Sequence, residues 1–209
     1  MLLKSKSKIK VGPNHHGRKL SLRAFEFVEV QEGYLCELAR GFIVVSEVPR
    51  YFHAMQLEAI RDEFRDYKKK HAGSIHAVLG SMECKLLMSE WESERHPDLA
   101  IYLAPPTGPK TRKMWRNWVP EIIIEVVSPR SGDRDYVEKR EEYWTLGAKE
   151  YWIVDAAMGK VMQLRRGRTD WIERELFVAD FCETKLLPGF KMPCRAIFDA
   201  AGPNDDEEE

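Results

Sequence analysis

The sequence predicts an α+β fold with a mixed central sheet, and three features carry that prediction. Phe52, Met55, Ala59, Ile60, Phe64 and Tyr67 recur at helical spacing, which marks one long amphipathic helix over 52–70. Glu121–Ser128 (EIIIEVVS) is almost continuously β-branched and reads as a fully buried central strand. The elements run helix, hairpin, long helix, several strands, helix, strands, which is not the alternation of a doubly wound fold.

Each element has a local reason. Residues 1–20 are basic and read as a flexible arm. His15 and His16 have no nearby partner in the sequence and read as solvated. Leu20–Val30 forms a short helix capped by Ser21. Tyr34–Leu38 and Phe42–Ser46 flank Ala39-Arg40-Gly41, a hairpin signal. The long helix ends in Lys68, Lys69 and Lys70, which suit the negative end of its dipole, and Gly73 stops it. Strand-like runs follow at Ile75–Leu79, Met82–Met88 and Asp98–Leu103, then a polar loop from Ala104 to Val119. After the central strand, Asp133–Leu146 is a helix closed by Gly147 and Tyr151–Val154 a buried strand. Val161–Leu164 and Trp171–Val178 form a closing antiparallel pair. The organisation expected is an arm over 1–20, a single domain over 21–199 and an acidic, disordered tail over 200–209.

Composition narrows the function. Of 209 residues 44% are hydrophobic, enough for a core. Lys and Arg number 33 against 34 Asp and Glu, so the net charge of −1 argues against a generally basic nucleic-acid coat while leaving room for a local basic groove. Cys36, Cys84, Cys182 and Cys194 are far apart and form no CxxC, so neither a zinc ribbon nor a disulfide framework is expected; they read as buried or half-buried thiols in a reducing compartment. No stretch reaches the roughly 20 apolar residues of a membrane span. No apolar h-region follows the basic start. The chain reads as soluble and cytoplasmic, with no membrane partner.

Two carboxylates sit where a core residue would be expected. Asp98 opens an apolar strand after Pro97, and Glu125 lies inside Ile122-Ile123-Ile124-Glu125-Val126-Val127. An unpaired ion buried there costs on the order of several kcal/mol, so a cation, a hydrogen-bond network or a metal must compensate. Taken singly, Asp98 reads as a strand cap and Glu125 as one half of a rim ion pair. Together, on strands joined by a loop, they suit a hard cation such as magnesium or manganese. Lys139 shares a helix face with Tyr136, Tyr143 and Leu146, the stripe that packs toward the sheet, leaving Glu138 and Glu142 on the free face. Spacing alone leaves two readings open: an ammonium reaching a polar pocket, or a snorkelling lysine paired with Asp135.

These residues form a known pattern. Pro97-Asp98, Glu125 in IIIEVVSP, a helix with Lys139, and Gly147-x-x-Glu150-Tyr151-Trp152-Ile153-Val154-Asp155 resemble the Uma-type family of restriction-endonuclease-like proteins, within the PD-(D/E)XK nuclease superfamily. Tyr34-Leu35-Cys36-Glu37-Leu38-Ala39-Arg40-Gly41 resembles that family's N-terminal hairpin, and His53 falls where the family often has a histidine opening the long helix. The resemblance spans Ser21 to Asp199. It implies a restriction-endonuclease-like mixed sheet flanked by helices, with an N-terminal helix and hairpin. It also implies a Mg²⁺- or Mn²⁺-dependent endodeoxyribonuclease, with Asp98 and Glu125 as metal ligands. Asp98, Glu125, Lys139 and Glu37 are its implied catalytic residues. One departure stands out: the motif lysine position after Glu125 is Val127, and Lys139 on the following helix takes its role.

The implied partner is DNA, and a homodimer would supply the two sites that double-strand cleavage needs. The loop from Lys110 to Trp118 holds Lys110, Arg112, Lys113 and Arg116 as candidate phosphate contacts and two tryptophans that could stack on bases or pack as a lid. Arg165, Arg166 and Arg168 form a second basic cluster. The rival readings are a catalytically weak nuclease fold that binds DNA or protein in a mobile-element or restriction context, and a hydrolase of another phosphodiester. Buried carboxylates favour the enzyme, because without a metal they repel the DNA backbone.

Overall fold

The computed structural model describes residues 9–128, 132–200 and 202, without the side chains of Arg112 and Lys113. In chain order the elements are β1 (Lys10–Val11), α1 (Leu22–Phe25), β2 (Glu29–Val30), β3 (Tyr34–Ala39), β4 (Phe42–Glu47), α2 (Tyr51–Lys70), β5 (Ala77–Gly80), β6 (Leu86–Met88), β7 (Ser93–Arg95), β8 (Leu99–Tyr102) and β9 (Ile122–Val126). A π turn (Arg134–Glu138) leads into α3 (Lys139–Leu146), followed by β10 (Glu150–Asp155), β11 (Lys160–Arg166), β12 (Trp171–Phe177), β13 (Phe181–Glu183), β14 (Lys191–Pro193) and α4 (Cys194–Ala200). The chain forms two compact units: residues up to Val48 with Lys85–His96, and Pro49–Cys84 with the chain from Pro97 on.

The first unit is built on a four-stranded sheet in the order β4-β3-β7-β6. Arg40 and Gly41 close the β3–β4 hairpin with φ of 50° and 82°, the left-handed pair whose twist matches a two-residue hairpin loop. The helix expected over Leu20–Val30 is shorter. Ser21 Oγ accepts from the Ala24 N–H at 3.3 Å and starts α1, but Glu29 and Val30 leave it to pair in parallel with Lys10 and Val11. β7 was not anticipated, because Ser93-Glu94-Arg95 is polar yet buried. Its polar groups are partnered: Lys85 Nζ lies 3.1 Å from both Glu94 oxygens, and Arg95 Nη1 lies 3.4 Å from Glu37 Oε2. Of the arm, residues 1–8 lie outside the described residues. The remainder carries β1 and a 3₁₀ turn at Pro13–His15, and His16 Nδ1 accepts from the Val45 N–H at 3.2 Å. Of the tail, Ala201 and residues 203–209 are likewise outside.

The second unit is a six-stranded sheet in the order β12-β11-β10-β9-β8-β5. β9 and β10 are parallel, with α3 as their crossover, and every other neighbouring pair is antiparallel. One face carries Leu99, Ile101, Ile122, Ile124, Trp152 and Val154, which pack with Ile60 and Phe64 of α2 in one core cluster. Alternation along β9 turns Glu125 to the opposite face, where the Tyr143 ring of α3 meets Tyr151 edge-on at 5.0 Å. All five residues of β9 are buried, and truncating Ile124 to Ala there costs about 2–5 kcal/mol. β13, β14 and α4 complete the core with Cys182, Met192, Cys194 and Ile197. The sequence reading missed them, since three-residue strands leave no period to read. All four cysteines are free and buried, and burial pushes the thiols of Cys36 and Cys84 up to about 12. Among the described residues no helix is long and apolar enough to cross a membrane.

Candidate functional site

The antiparallel register of β8 and β9 pairs Leu99 with Ile124, so one step further Asp98 comes level with Glu125. Asp98 is tied there by backbone: the Val126 N–H donates to its Oδ2 at 2.8 Å. Its other oxygen, Oδ1, lies 3.4 Å from His53 Nε2 on the first turn of α2, so the histidine named from the family pattern meets the carboxylate. Pro97 sits just before Asp98, where it cannot donate to a ladder and so suits the strand's entry.

Glu125 is 2% exposed. The Tyr143 hydroxyl donates to its Oε1 at 2.6 Å, and Lys139 Nζ lies 3.0 Å from its Oε2. The same ammonium is 2.9 Å from Asp135 Oδ1, one helical turn back. The ammonium reaches a polar pocket at the central strand, and the pairing with Asp135 is present too, but buried rather than snorkelling at the surface. The surrounding hydroxyls fix the turn. Tyr151 OH donates to the Asp135 carbonyl at 2.9 Å, and Tyr136 OH donates to Asp155 Oδ2 at 3.0 Å, with burial pushing the Tyr136 phenol above its ordinary range. A charge network of this kind stands in a core only when its members are well partnered. Among the described residues, no three His, Cys, Asp or Glu side chains gather as a ready-made metal cluster.

One expectation is overturned, and one open choice is decided. Glu142 is fully buried and not on a free face, because the inward stripe of this helix is the charged one, running Asp135, Lys139, Glu142. Trp118 stacks on Tyr102 at 3.8 Å and Trp115 packs beside it, so these rings belong to the protein's own packing, as in the lid reading. In that loop Lys110 and Arg116 are exposed. The side chains of Arg112 and Lys113 lie outside the described ones. Of the second cluster, Arg166 is structural: its guanidinium lies 4.1 Å from the Trp144 ring centre and donates to the Ala148 and Trp144 carbonyls. Glu37 belongs to the first unit, where the His96 N–H donates to it at 2.8 Å beside the Arg95 contact. The Tyr143 hydroxyl was missed as a site group, although its spacing of four from Lys139 placed it on the inward face.

The chain is similar to known proteins over most of its length. Residues 22–195 match the profile of the Uma2 family, described as "Putative restriction endonuclease". A crystal structure from Anabaena variabilis, described as "a putative nuclease belonging to DUF820", superposes with a TM-score of 0.69 at 13% identity, over 87% of this chain and 99% of that one. No curated protein matches the sequence.

Proposed function

The chain belongs to the Uma2 family, and on that premise we propose that it is a divalent-metal-dependent endonuclease hydrolysing phosphodiester bonds in DNA. The observation that carries this reading is Glu125, a carboxylate inside an apolar strand whose Oε2 faces a lysine ammonium at 3.0 Å, with Asp98 on the adjoining strand.

The donor set fits Mg²⁺ or Mn²⁺. Asp98 and Glu125 offer only oxygen, and magnesium uses few protein carboxylates and fills its other positions with water and substrate phosphate. The Lys139 contact shows that positive charge is already stabilised against Glu125. When bound, such an ion polarises the phosphate and acidifies a water. The chain's residues do the rest. Asp98, held by the Val126 N–H and facing His53, keeps one oxygen direction fixed. The Tyr143 hydroxyl keeps Glu125 from rotating. The Lys139 ammonium offers charge to the phosphate as negative charge develops on it. By resemblance Glu37 adds a further acid, and Lys110, Arg112, Lys113 and Arg116 contact the DNA backbone. Two copies acting together would cut both strands.

The ion contacts favour one second reading. Both Glu125 oxygens have protein partners, as in a closed structural network, so a fold that binds DNA without cutting it is the alternative. Supercoiled plasmid incubated with Mg²⁺ or Mn²⁺ separates the two. Cleavage by wild type that disappears in Asp98→Ala supports the enzyme. No cleavage, with no heat of Mn²⁺ binding by calorimetry, supports the binding module.

A further inference from the structure

Lys139 is held by two carboxylates, and only one of them belongs to the metal-binding pair proposed above. Glu125 is on β9, whereas Asp135 stands four residues before Lys139 on the same helical segment. The two contacts are equally short, at 3.0 and 2.9 Å. Asp135 is 1% exposed and Lys139 7%, so neither can turn to solvent without unpacking the helix. The backbone at Asp135 is fixed from β10 by the Tyr151 hydroxyl, and the next residue by the Tyr136–Asp155 bond. The segment is a π turn, a widening that recurs at functional sites.

This arrangement matters once Glu125 serves a divalent ion. The ammonium and the ion then compete for one carboxylate, and like charges close together disfavour each other. A lysine held by Glu125 alone would oppose metal binding. A lysine with a second anchor of its own can release Glu125 and stay in place. Resting on the nuclease reading, we infer that Asp135 is a positioning residue, which retains the Lys139 ammonium at the site while Glu125 is engaged by a divalent cation. Its negative charge also offsets the repulsion between that ammonium and the ion.

Calorimetric titration with Mn²⁺ tests this without relying on cleavage. Asp135→Asn is expected to bind Mn²⁺ ten- to a hundredfold more weakly than wild type, because Lys139 then loses the 2.9 Å ion pair that does not draw on Glu125. Adding Lys139→Met to Asp135→Asn is expected to recover most of that affinity, since the opposing ammonium is gone. An Asp135 that merely stabilised the helix would give no such recovery. Asp135→Glu, which keeps the charge, is expected to stay within about threefold of wild type, and it carries the test if the asparagine variant does not fold. At saturating Mn²⁺, single-turnover cleavage by Asp135→Asn is expected to fall at least tenfold with unchanged DNA affinity. Wild-type Mn²⁺ affinity in Asp135→Asn, equal losses in the Asn and Glu variants, or no recovery in the double variant overturns the inference and leaves the nuclease reading standing. A wild type that neither binds Mn²⁺ nor cleaves overturns both.

Discussion

Glu125 and Glu150 are buried carboxylates on neighbouring strands of one sheet, yet they are held in opposite ways. Trp152 pairs in register with Ile124, so Glu150, two residues before Trp152, points to the α2 face, while Glu125 points to the α3 face. The direct partners of Glu150 are neutral: Trp152 Nε1 donates at 2.9 Å and Thr184 Oγ1 at 2.7 Å. Thr184 lies in the segment after β13, so this carboxylate latches the closing part of the chain onto the sheet. Glu125 instead shares an ammonium with a second carboxylate and takes a tyrosine hydroxyl. Neutral donors satisfy a buried carboxylate as a structural group. A shared cation leaves charge that another cation or a phosphate can exchange with, and that is the condition for chemistry.

The sharpest way to break the comparison is to remove each carboxylate and measure cleavage. Glu125→Ala is expected to lower the plasmid-cleavage rate a thousandfold or more, the consequence of losing about 4 kcal/mol of charge stabilisation. It should also abolish Mn²⁺ binding, at a stability cost of about 1–3 kcal/mol for the Tyr143 hydroxyl that loses this acceptor, while Lys139 keeps Asp135. Glu150→Ala should lose stability yet leave the rate per folded molecule within about twofold. Equal loss of cleavage in both variants would erase the distinction. Next in size is Lys139→Met in the metal-free protein, which takes away the ammonium that Glu125 and Asp135 share. Its expected cost is about 3–5 kcal/mol in urea unfolding, the range for breaking a buried pair. A cost below about 1 kcal/mol would mean that the ammonium is not holding the two carboxylates.

Tyr143→Phe sharpens the picture on a smaller scale. It removes one donor at 2.6 Å from Glu125 and keeps the ring against Tyr151. The expected cost is about 1–3 kcal/mol of stability, the penalty of a buried acceptor losing a partner. A roughly tenfold slower cleavage should accompany it as Glu125 gains freedom. Loss of stability with no change in rate would make the hydroxyl a packing group only.

The two carboxylates also show what a sequence can reveal. Glu125 was legible because a charge inside Ile-Ile-Ile-Glu-Val-Val contradicts its surroundings. Lys139 was placed with Tyr143 on the packed face by helical spacing, and the family resemblance was needed to choose between its two readings. Asp135 entered the sequence reading only as a surface partner, since spacing tells which residues can touch but not how deep they lie. Glu150 stands in the family pattern, but nothing in its local sequence signals burial. It opens a strand just after Gly147-Ala148-Lys149, where a glutamate usually faces water, and its partner Thr184 is far along the chain. The hairpin, α2 and β9 to β12 were readable for the same reason as Glu125: each satisfies its own periodicity. β7 was hidden because partner pairs rather than apolar contacts hold Glu94 and Arg95 inside. Its carboxylate shows the balance: burial pushes Glu94 up, but His96 and Lys85 bring it below its usual value.

The smallest expected effect comes from replacing Glu150 with the neutral side chain of the same shape. Burial raises the Glu150 carboxyl above its ordinary value, against the opposing pull of Thr184, Trp152 and Arg165. Its unfolded value is about 4.3. Between that value and the raised folded one, the folded protein carries more protons than the unfolded chain, so this group makes stability fall as pH rises through the window and stay lower above it. Glu150→Gln cannot ionise and should lack that fall. Urea midpoints of wild type and variant, measured from pH 4 to pH 8, give the contribution as a difference. The variant should gain relative to wild type as pH rises, and at pH 7 it should be within about 1 kcal/mol or more stable. A variant that loses ground with rising pH would show the opposite: Glu150 would be a carboxylate stabilised by positive charge, and Arg165 across the strand pair would be its counter-ion rather than a minor influence.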